Sequence, residues 1–399
     1  MKTAALAFRY LWSRPLAALL NLLLLTLGLA SITFVLLASE QVDRAFQRDL
    51  AGIDAVVGAK GSPMQLILAG VFHIDVPPGN IPLAEVRKLA QMPLVKQVIP
   101  ISLGDAFRGY RIVGTTHDYL GHYGLQLAEG NVWRDAMQAV VGAQVARDTG
   151  LHMGALFTGS HGLAGGNAHE ETPYRVTGVL APCSCVVDRL VLTGLESVWH
   201  VHEAHGNKHE EEHGEDDEAR EVTMALVTYR SPLAAVSFPR YVNSQTGMQA
   251  AAPALEVSRL LRMLGVGTEV LRGIGAVLLL TGALSVFVAL WTAVRERSAD
   301  LAMLRMLGAT PAKVGALLLC EALWLAVLAS VLGLAAGHGL AALVGAMLRE
   351  QQSLPVSGVG WVPAEAWIPV LALAVAGLAA LVPALGAARV DVGRLLNGR

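Results

Sequence analysis

The stretch GIGAVLLLTGALSVFVALWTAV, residues 273–294, is as long as a membrane-crossing helix, and none of its 22 residues is charged. A helix needs about 20 mainly apolar residues to cross the hydrocarbon core of a bilayer. Three further uncharged runs, residues 15–39, 322–348 and 366–388, are at least as long. The sequence therefore predicts four membrane-spanning helices.

The composition of the whole chain agrees with this prediction. It is 54% hydrophobic and only 16% charged, with a mean hydropathy of +0.50, whereas soluble domains are roughly 25% charged. The net charge is −2 and the chain has no dense basic cluster, so nucleic acid is not expected as a partner.

The first run, residues 15–39, follows a basic N-terminus as the apolar part of a secretory signal does. That part of a signal has about 7–15 residues, and this run has 25. We therefore expect an uncleaved membrane anchor.

Lysine and arginine flank the four runs unevenly, and short basic loops stay in the cytoplasm. Three flanks are basic, whereas residues 349–365 contain one basic residue. Both termini and the turn between the second and third runs are therefore predicted to be cytoplasmic, and the long region after the first run to be exported. The basic residues in these flanks are Lys2, Arg9 and Arg14; Arg295, Arg297, Arg305 and Lys313; and Arg389, Arg394 and Arg399.

The exported region has the pattern of an α+β domain. Short β-branched runs such as VKQVIPISLG and YRVTGVL predict strands, and IPLAEVRKLAQMP has the apolar spacing of a helix. Strands and helices do not alternate regularly, so a doubly wound sheet is not expected, and the absence of an internal repeat disfavours an inverted-repeat transporter.

The predicted boundaries follow from these patterns. The segments are an amphipathic helix with the first span (1–39), the exported domain (40–265), the second span (266–294), a cytoplasmic coupling segment (295–312), the third span (313–348), an external loop (349–365), the fourth span (366–388) and a cytoplasmic tail (389–399).

The coupling segment, residues 295–312, contains the sequence RSADLAMLRMLGATP. Leu301, Leu304 and Leu307 recur at helical spacing, and Gly308 ends the pattern before Pro311. This predicts a short amphipathic helix at the cytoplasmic surface. Such a helix either caps the bundle or docks onto a soluble ATP-driven partner.

This segment resembles the corresponding turn of permeases of the FtsX and MacB type. Where this chain has Asp300 the family usually has glutamate. The tail VPALGAARVDVGRLLNG is similar to the family's closing segment, and FRYLWSRPLAALLNLLLLTLG to its opening helix and first span. The matching residues in the turn are Asp300, Leu304, Arg305, Leu307, Gly308 and Ala309, and those in the tail are Pro383, Ala387, Ala388, Arg389 and Leu395.

The resemblance implies a permease subunit of an ABC transporter in the bacterial inner membrane. Four spans would carry a MacB-like periplasmic domain, and two copies would pair as a homodimer. ATP and Mg²⁺ would be bound by a separate ATPase of the LolD or FtsE kind, because G-x-x-x-x-G-K-[ST] does not occur in these residues. The implied coupling residues are Asp300, Leu301, Leu304, Arg305, Leu307 and Gly308.

Two polar residues lie inside the predicted spans. Glu321 is an intramembrane carboxylate, a candidate for function by default, although its place near the cytoplasmic end favours structural pairing over proton transport. His338 lies among Gly333, Gly337 and Gly339, a spacing that suits close helix packing. We interpret His338 as a packing residue.

Cysteine and histidine in the exported domain raise the question of metal binding. Cys183 and Cys185 form a CSC sequence, and the sequence leaves open a disulfide, free thiols or a metal pair. His73, in contrast, is expected to be packed within a partly buried segment.

The segment HVHEAHGNKHEEEHGEDDE, residues 200–218, has five histidines and eight carboxylates. Helical spacing would place three of the histidines on one face, as capture of Zn²⁺ requires. Its high polarity equally fits a solvated loop or a pH-responsive contact. The histidines are His200, His202, His205, His209 and His213.

Three functions are therefore compared. The first is export or extraction of a substrate, with metal involvement left open. The second is an FtsX-like regulator that transmits force to an external enzyme or sensor without moving cargo, and the third is a membrane-anchored metal-binding protein. Membrane lipid and a periplasmic protein or lipoprotein are expected as further partners of the first two. The chain itself is not expected to be an enzyme.

Overall fold

The computed structural model describes residues 3–13, 15–162, 172–205, 220–296, 303–350 and 356–388. The chain forms two compact units. The helical unit comprises Met1–Arg44 and Arg262–Arg399, and the α+β unit comprises Ala45–Leu261.

The helices are numbered in chain order through both units. They are α1 (Thr3–Leu11), α2 (Pro15–Asp49), α3 (Pro63–Gly70), α4 (Leu83–Ala90), α5 (His117–His122), α6 (Ala143–Thr149), α7 (Leu195–His205), α8 (Ala234–Gln245), α9 (Pro253–Glu296), α10 (Pro311–Glu350) and α11 (Trp367–Ala388).

The prediction of four spans is confirmed. In the described part of the chain, four helical stretches are long and apolar enough to cross a membrane. They are Pro15–Asp49, Pro253–Glu296, Pro311–Met347 and Pro363–Ala388, the last including a short 3₁₀ helix, Pro363–Ala366.

Glycines bring α2 and α10 close together in the helical unit. A Cβ atom at Gly333 would lie 2.7 Å from Leu29 Cβ, and one at Gly337 would lie 2.4 Å from Thr33 Cβ. Both distances are too short for a side chain, so glycine is required at these crossings. The helix packing predicted from the glycine spacing around His338 is therefore present.

The α+β unit is built on a mixed sheet. Its strands are β1 (Ala55–Ala59), β2 (Ile81–Pro82), β3 (Val95–Phe107), β4 (Tyr110–Thr115), β5 (Leu127–Gly130), β6 (Gln138–Val141), β7 (Leu156–Phe157), β8 (Ser160–His161), β9 (Tyr174–Leu180), β10 (Leu190–Gly194), β11 (Glu221–Val222), β12 (Met224–Tyr229) and β13 (Met248–Ala251).

The main strand order is β13-β1-β12-β3-β4-β10-β6-β9-β5, while β2 pairs separately with β11. The β4–β10 and β6–β9 pairs are parallel and the other pairs along this order are antiparallel. The sheet is therefore neither purely parallel nor doubly wound, which confirms the predicted α+β class.

Apolar residues on the sheet pack in two clusters. One lies around Val57, Val95 and Phe238 and includes residues of α4 and α8. The other lies around Ile112, Tyr174 and Val201. Val201 belongs to α7 and is fully buried, so that helix is part of the fold at least as far as Val201.

Candidate coupling segment and polar sites

The described part of the coupling segment is a helix end followed by a helix start. Residues 303–306 are helical, and Gly308 has φ +92°, in the left-handed region. The Ala309 N–H donates to Leu304 O at 3.0 Å and the Gly308 N–H donates to Arg305 O at 3.1 Å. These two bonds form a Schellman motif, which needs glycine at the position of Gly308.

Helix α10 begins immediately after this stop. Thr310 precedes Pro311, the first helical residue, and its hydroxyl accepts the Lys313 N–H at 3.4 Å. A threonine cap followed by proline favours helix initiation. Local sequence therefore fixes the path of the chain through the turn.

The side chains of this segment have two environments. Leu304 and Ala309 are partly buried against the core of the helical unit. Met303, Met306 and Leu307 point outward and are 57%, 57% and 80% exposed. Of the predicted coupling residues, Asp300 and Leu301 lie outside the described residues.

Helix α1 packs on α10 beyond the turn. Phe8 contacts the Trp324 ring edge to face, with centroids 5.3 Å apart, and the Trp324 indole N–H donates to Ala4 O at 3.1 Å. Ala7 and Leu11 are buried. The opening helix is thus amphipathic and held to the third span.

Glu321 lines a cavity inside the helical unit. The cavity has a volume of about 570 Å³ and is mostly apolar, with Tyr10, Asn21 and Ser285 among its polar lining residues. The Ser285 hydroxyl donates to Asn21 Oδ1 at 2.5 Å. Glu321 itself is 4% exposed, so its side chain is buried within the helical unit.

His338 has polar partners that the packing interpretation did not include. Its Nδ1 lies 2.8 Å from Gly358 O, and its Nε2 lies 2.9 Å from Glu365 Oε2. Glu365 is fully buried, and its Oε1 accepts the Val362 N–H at 3.2 Å. The glycines near His338 pack as predicted, but the partly buried imidazole forms a polar pair with the fully buried Glu365.

The hydrogen bonds require a proton between these two side chains. A carbonyl oxygen can only accept, so Nδ1 must donate to Gly358 O. Nε2 then faces a carboxyl oxygen, and the contact is favourable when either Nε2 or Glu365 carries a proton. The pair is therefore one imidazolium–carboxylate or one imidazole–carboxylic acid unit.

Gln41 holds the same loop from α2. Its side-chain amide donates to Ser357 O and accepts the Ser357 N–H, both at 2.7 Å. Residues 356–366 are thereby bound to α2 and α10, and we call them the strap. Sequence reasoning missed Gln41 and Glu365 because each lies beside a span among ordinary surface-type residues.

In the α+β unit, Cys183 and Cys185 form a disulfide. The Asp188 carboxylate accepts the Cys183 N–H at 2.9 Å and the Ser184 N–H at 2.7 Å. The structure thus selects the disulfide among the alternatives that the sequence left open. In this state neither sulfur is a thiolate that could bind metal, so metal binding by the pair would require its reduction.

The histidine-rich segment lies mostly outside the described residues. Helix α7 ends at His205, and His200 is exposed; His209 and His213 lie outside the described range. Among the residues that the structure describes, no group of three or more His, Cys, Asp or Glu side chains is arranged to hold a metal ion. Zinc binding by this segment stays a prediction.

His73 is packed as expected. It is buried, and its Nε2 lies 3.2 Å from the Tyr119 hydroxyl. Burial, and then the charges of Arg111 and Arg189, lower the pKa of His73 to about 3. A neutral, buried histidine near two arginines is a poor place for a metal cation.

Comparison with known proteins shows which family has this architecture. The model of the MacB-like periplasmic core domain matches residues 18–232, more than half of the chain, and that of the FtsX-like permease C-terminal domain matches residues 272–392. The chain belongs to the FtsX/MacB-like ABC-transporter permeases. It combines a MacB-like periplasmic core domain with an FtsX-like permease C-terminal domain.

Individual relatives are more distant. The pyoverdine export ATP-binding/permease protein PvdT of Pseudomonas fluorescens (strain Pf0-1) is 27% identical over 190 residues, 44% of this chain and 27% of that protein. The permease therefore spans little more than a quarter of the length of this relative.

Two solved structures align with about half of the chain. The periplasmic region of MacB from Actinobacillus actinomycetemcomitans aligns with 53% of this chain and 95% of that chain, at 13% identity and a TM-score of 0.35. The extracellular domain of the ABC-type transporter YknZ from Gram-positive bacteria aligns with 50% and 98%, at 13% identity and a TM-score of 0.31.

Proposed function

We propose that this permease couples ATP hydrolysis by a separate ATPase chain to movement of its extracytoplasmic domain, and so exports or extracts a substrate. The observation that carries the proposal is the outward apolar face of the coupling segment, formed by Met303, Met306 and Leu307. The residues behind that face pack inward, so the segment is attached to the bundle and is also open to a partner.

The outward face suits a protein partner. Three large apolar side chains close together in a charged turn gain free energy when a partner covers them, at about 25 cal/mol per Å² of buried apolar surface. The family relation supplies an ATPase as the expected occupant, of the LolD or FtsE kind. ATP and Mg²⁺ would be bound by that chain.

The local geometry supports transfer of force from this face. The Schellman bonds at Gly308 and the Thr310 cap leave only a short turn between residues 303–306 and α10. A push on the outward face would therefore reach the third span without being absorbed in a long flexible loop.

Orientation and assembly are part of the proposal. The basic flanks favour an inner-membrane protein with both termini and the coupling segment in the cytoplasm. We propose a homodimer, because four spans form too small a bundle to enclose a path for a substrate. A periplasmic protein or lipoprotein and membrane lipid are the remaining proposed partners.

A second candidate is an FtsX-like regulator that transmits force to an external enzyme or sensor without moving cargo. The coupling segment would serve both functions equally. Purification of the tagged chain with its native partners separates them, since a hydrolase among the partners supports the regulator and a binding protein or lipoprotein supports transport. A metal-linked substrate stays part of the first candidate through the histidine-rich segment, residues 200–218.

The coupling proposal is tested with Leu307→Asp. We expect the variant to insert and fold but to recover less ATPase and to stimulate it at least tenfold less, because docking would bury an unpaired carboxylate. Val359→Asp is the matched control, since Val359 is 94% exposed at the other end of the bundle. Wild-type recovery and stimulation with Leu307→Asp would show that this face is not the docking surface.

A further inference from the structure

The Cys183–Cys185 disulfide lies at the surface of the α+β unit, between β9 and β10. Both cysteines are partly exposed and Ser184 between them is exposed. The domain is extracytoplasmic, where disulfides form and persist. The disulfide therefore lies in a loop that is partly open to solvent.

This disulfide cannot serve as a brace between distant parts of the domain. It joins residues two positions apart, and the stabilisation that a disulfide provides by restricting the unfolded chain is least for the shortest loops. Exposed disulfides of this kind are the ones that exchange most readily. A chemical function explains the pair better than a structural one.

The loop around the disulfide is held from the inside by charged residues. Asp188 is buried and binds the N–H groups of Cys183 and Ser184. The Val186 N–H donates to Asp49 Oδ1 at 3.0 Å, and the Arg48 guanidinium donates to Ser184 O. The loop can therefore keep its backbone conformation while its outer side reacts.

The two sulfur atoms have different electrostatic environments. Asp188 Oδ1 lies 3.4 Å from Cys183 Sγ, so the carboxylate disfavours a thiolate on Cys183 relative to one on Cys185. The Cys185 N–H points at Cys183 Sγ from 3.2 Å, but it carries no net charge and offsets the effect of the carboxylate only in part. Because the thiol with the lower pKa is the better leaving group, attack is directed to Cys183 and Cys185 is released first.

We propose that Cys183–Cys185 is a thiol–disulfide exchange site for an extracytoplasmic dithiol. A thiolate of the dithiol bonds to Cys183 Sγ while the Cys183–Cys185 bond breaks, and the electron pair stays on Cys185, which takes a proton from water. The second thiolate of the dithiol then displaces Cys183, which also takes a proton from water. The dithiol is oxidised to a disulfide by two electrons, and both cysteines become thiols. This activity is separate from the ATP coupling proposed above.

The first test uses the full-length protein in detergent with Cys320→Ser, so that Cys183 and Cys185 are the remaining cysteines. The folded protein is treated with dithiothreitol, quenched with acid and alkylated with a mass-tagged maleimide. We expect reduction within the folded state, at a rate within about tenfold of that in urea. Reduction only after unfolding would overturn the proposal.

The second test compares single variants in the same background. With Cys183→Ser, oxidised glutathione should form an adduct on Cys185 at least about tenfold faster than it does on Cys183 in Cys185→Ser, because a neighbouring carboxylate suppresses the thiolate. Adding Asp188→Asn should bring the two rates together. Equal rates with Asp188 present, or faster reaction at Cys183, would contradict the assigned roles.

Discussion

The two ends of α10 differ in whether the side chains that matter there point outward or are buried. The helix has 40 residues and rises about 1.5 Å per residue, so its ends lie about 60 Å apart. At one end, the coupling segment directs Met306 and Leu307 outward. At the other end, Glu365 of the strap is fully buried, and the strap backbone at Ser357 is hydrogen-bonded to Gln41.

This difference indicates different roles for the two ends. An outward apolar face can be buried by another molecule, whereas a buried carboxylate already has its hydrogen-bond partners within the helical unit. Substitutions at the coupling end should therefore leave the fold intact but weaken binding of the partner. The strap end should show the reverse, and the predictions below test that contrast.

The largest expected effect is in labelling from outside the cell. Leu307→Cys and Val359→Cys place exposed thiols at the two ends, in a Cys320→Ser background where Cys183 and Cys185 are joined. Because basic flanks stay in the cytoplasm, an impermeant maleimide should label the Val359 variant in intact cells and the Leu307 variant only after permeabilisation. Labelling of the Leu307 variant in intact cells would reverse the orientation.

The second effect concerns stability at the strap. Glu365→Ala leaves the partly exposed His338 Nε2 without its carboxyl partner and the buried Val362 N–H without its acceptor, and a buried donor left unsatisfied costs about 1–3 kcal/mol. Chemical unfolding in detergent measures the loss. Glu269→Ala is the control, because Glu269 forms an exposed pair with Arg272 and surface pairs contribute about 1 kcal/mol or less. Equal losses would show that the strap is no more critical than the surface.

The two ends also differ in how far sequence could predict them. The coupling turn is local: a glycine with positive φ, a threonine cap and a proline all fall within Gly308–Pro311, and the sequence pattern predicted where the helix stops. The strap depends on partners 27 residues apart for His338 and Glu365 and 316 apart for Gln41 and Ser357. No periodic pattern in the sequence predicts a contact between residues so far apart in the chain.

The third effect is a backbone effect at the turn. Gly308→Ala should destabilise the helical unit by about 1–2 kcal/mol, because an L-residue at positive φ is strained by that amount. Gly377→Ala in α11 is the matched control: a Cβ meets no atom within 4 Å at either glycine, but only Gly308 has positive φ. The two variants should unfold differently by at least about 1 kcal/mol, and identical unfolding would mean that the turn is not held as described.

The α+β unit shows the same limit of sequence reasoning. The strands over VKQVIPISLG and YRVTGVL and the helix over residues 83–90 follow apolar patterns and were predicted, as was the α+β class. Asp188 was not singled out, since one carboxylate in VVDRL has no recognisable signal. Its importance appears only when the loop brings it to Cys183.

The smallest expected effect on the fold is in the histidine-rich segment. A deletion there must spare Val201, which is fully buried in the core of the α+β unit, so removal of residues 201–218 would damage the domain. Removal of residues 206–218 keeps all of α7. The matched control removes residues 163–171, a glycine-containing stretch with one histidine, His169. Neither deletion should change the unfolding of the chain by more than about 0.5 kcal/mol.

The deletion of residues 206–218 is expected to lower Zn²⁺ affinity, whereas the control deletion should not. Zinc binds neutral imidazole, so the affinity of the intact chain should fall as the pH decreases through about 6.5, the reference value for histidine. Calorimetry of the full-length protein in detergent at about pH 7.5 and about pH 5.5, on either side of that value, measures both effects. Equal zinc heats in the intact and deleted chains would mean that His209 and His213 contribute to no metal site. Residual binding that appears only after reduction would instead point to Cys183 and Cys185.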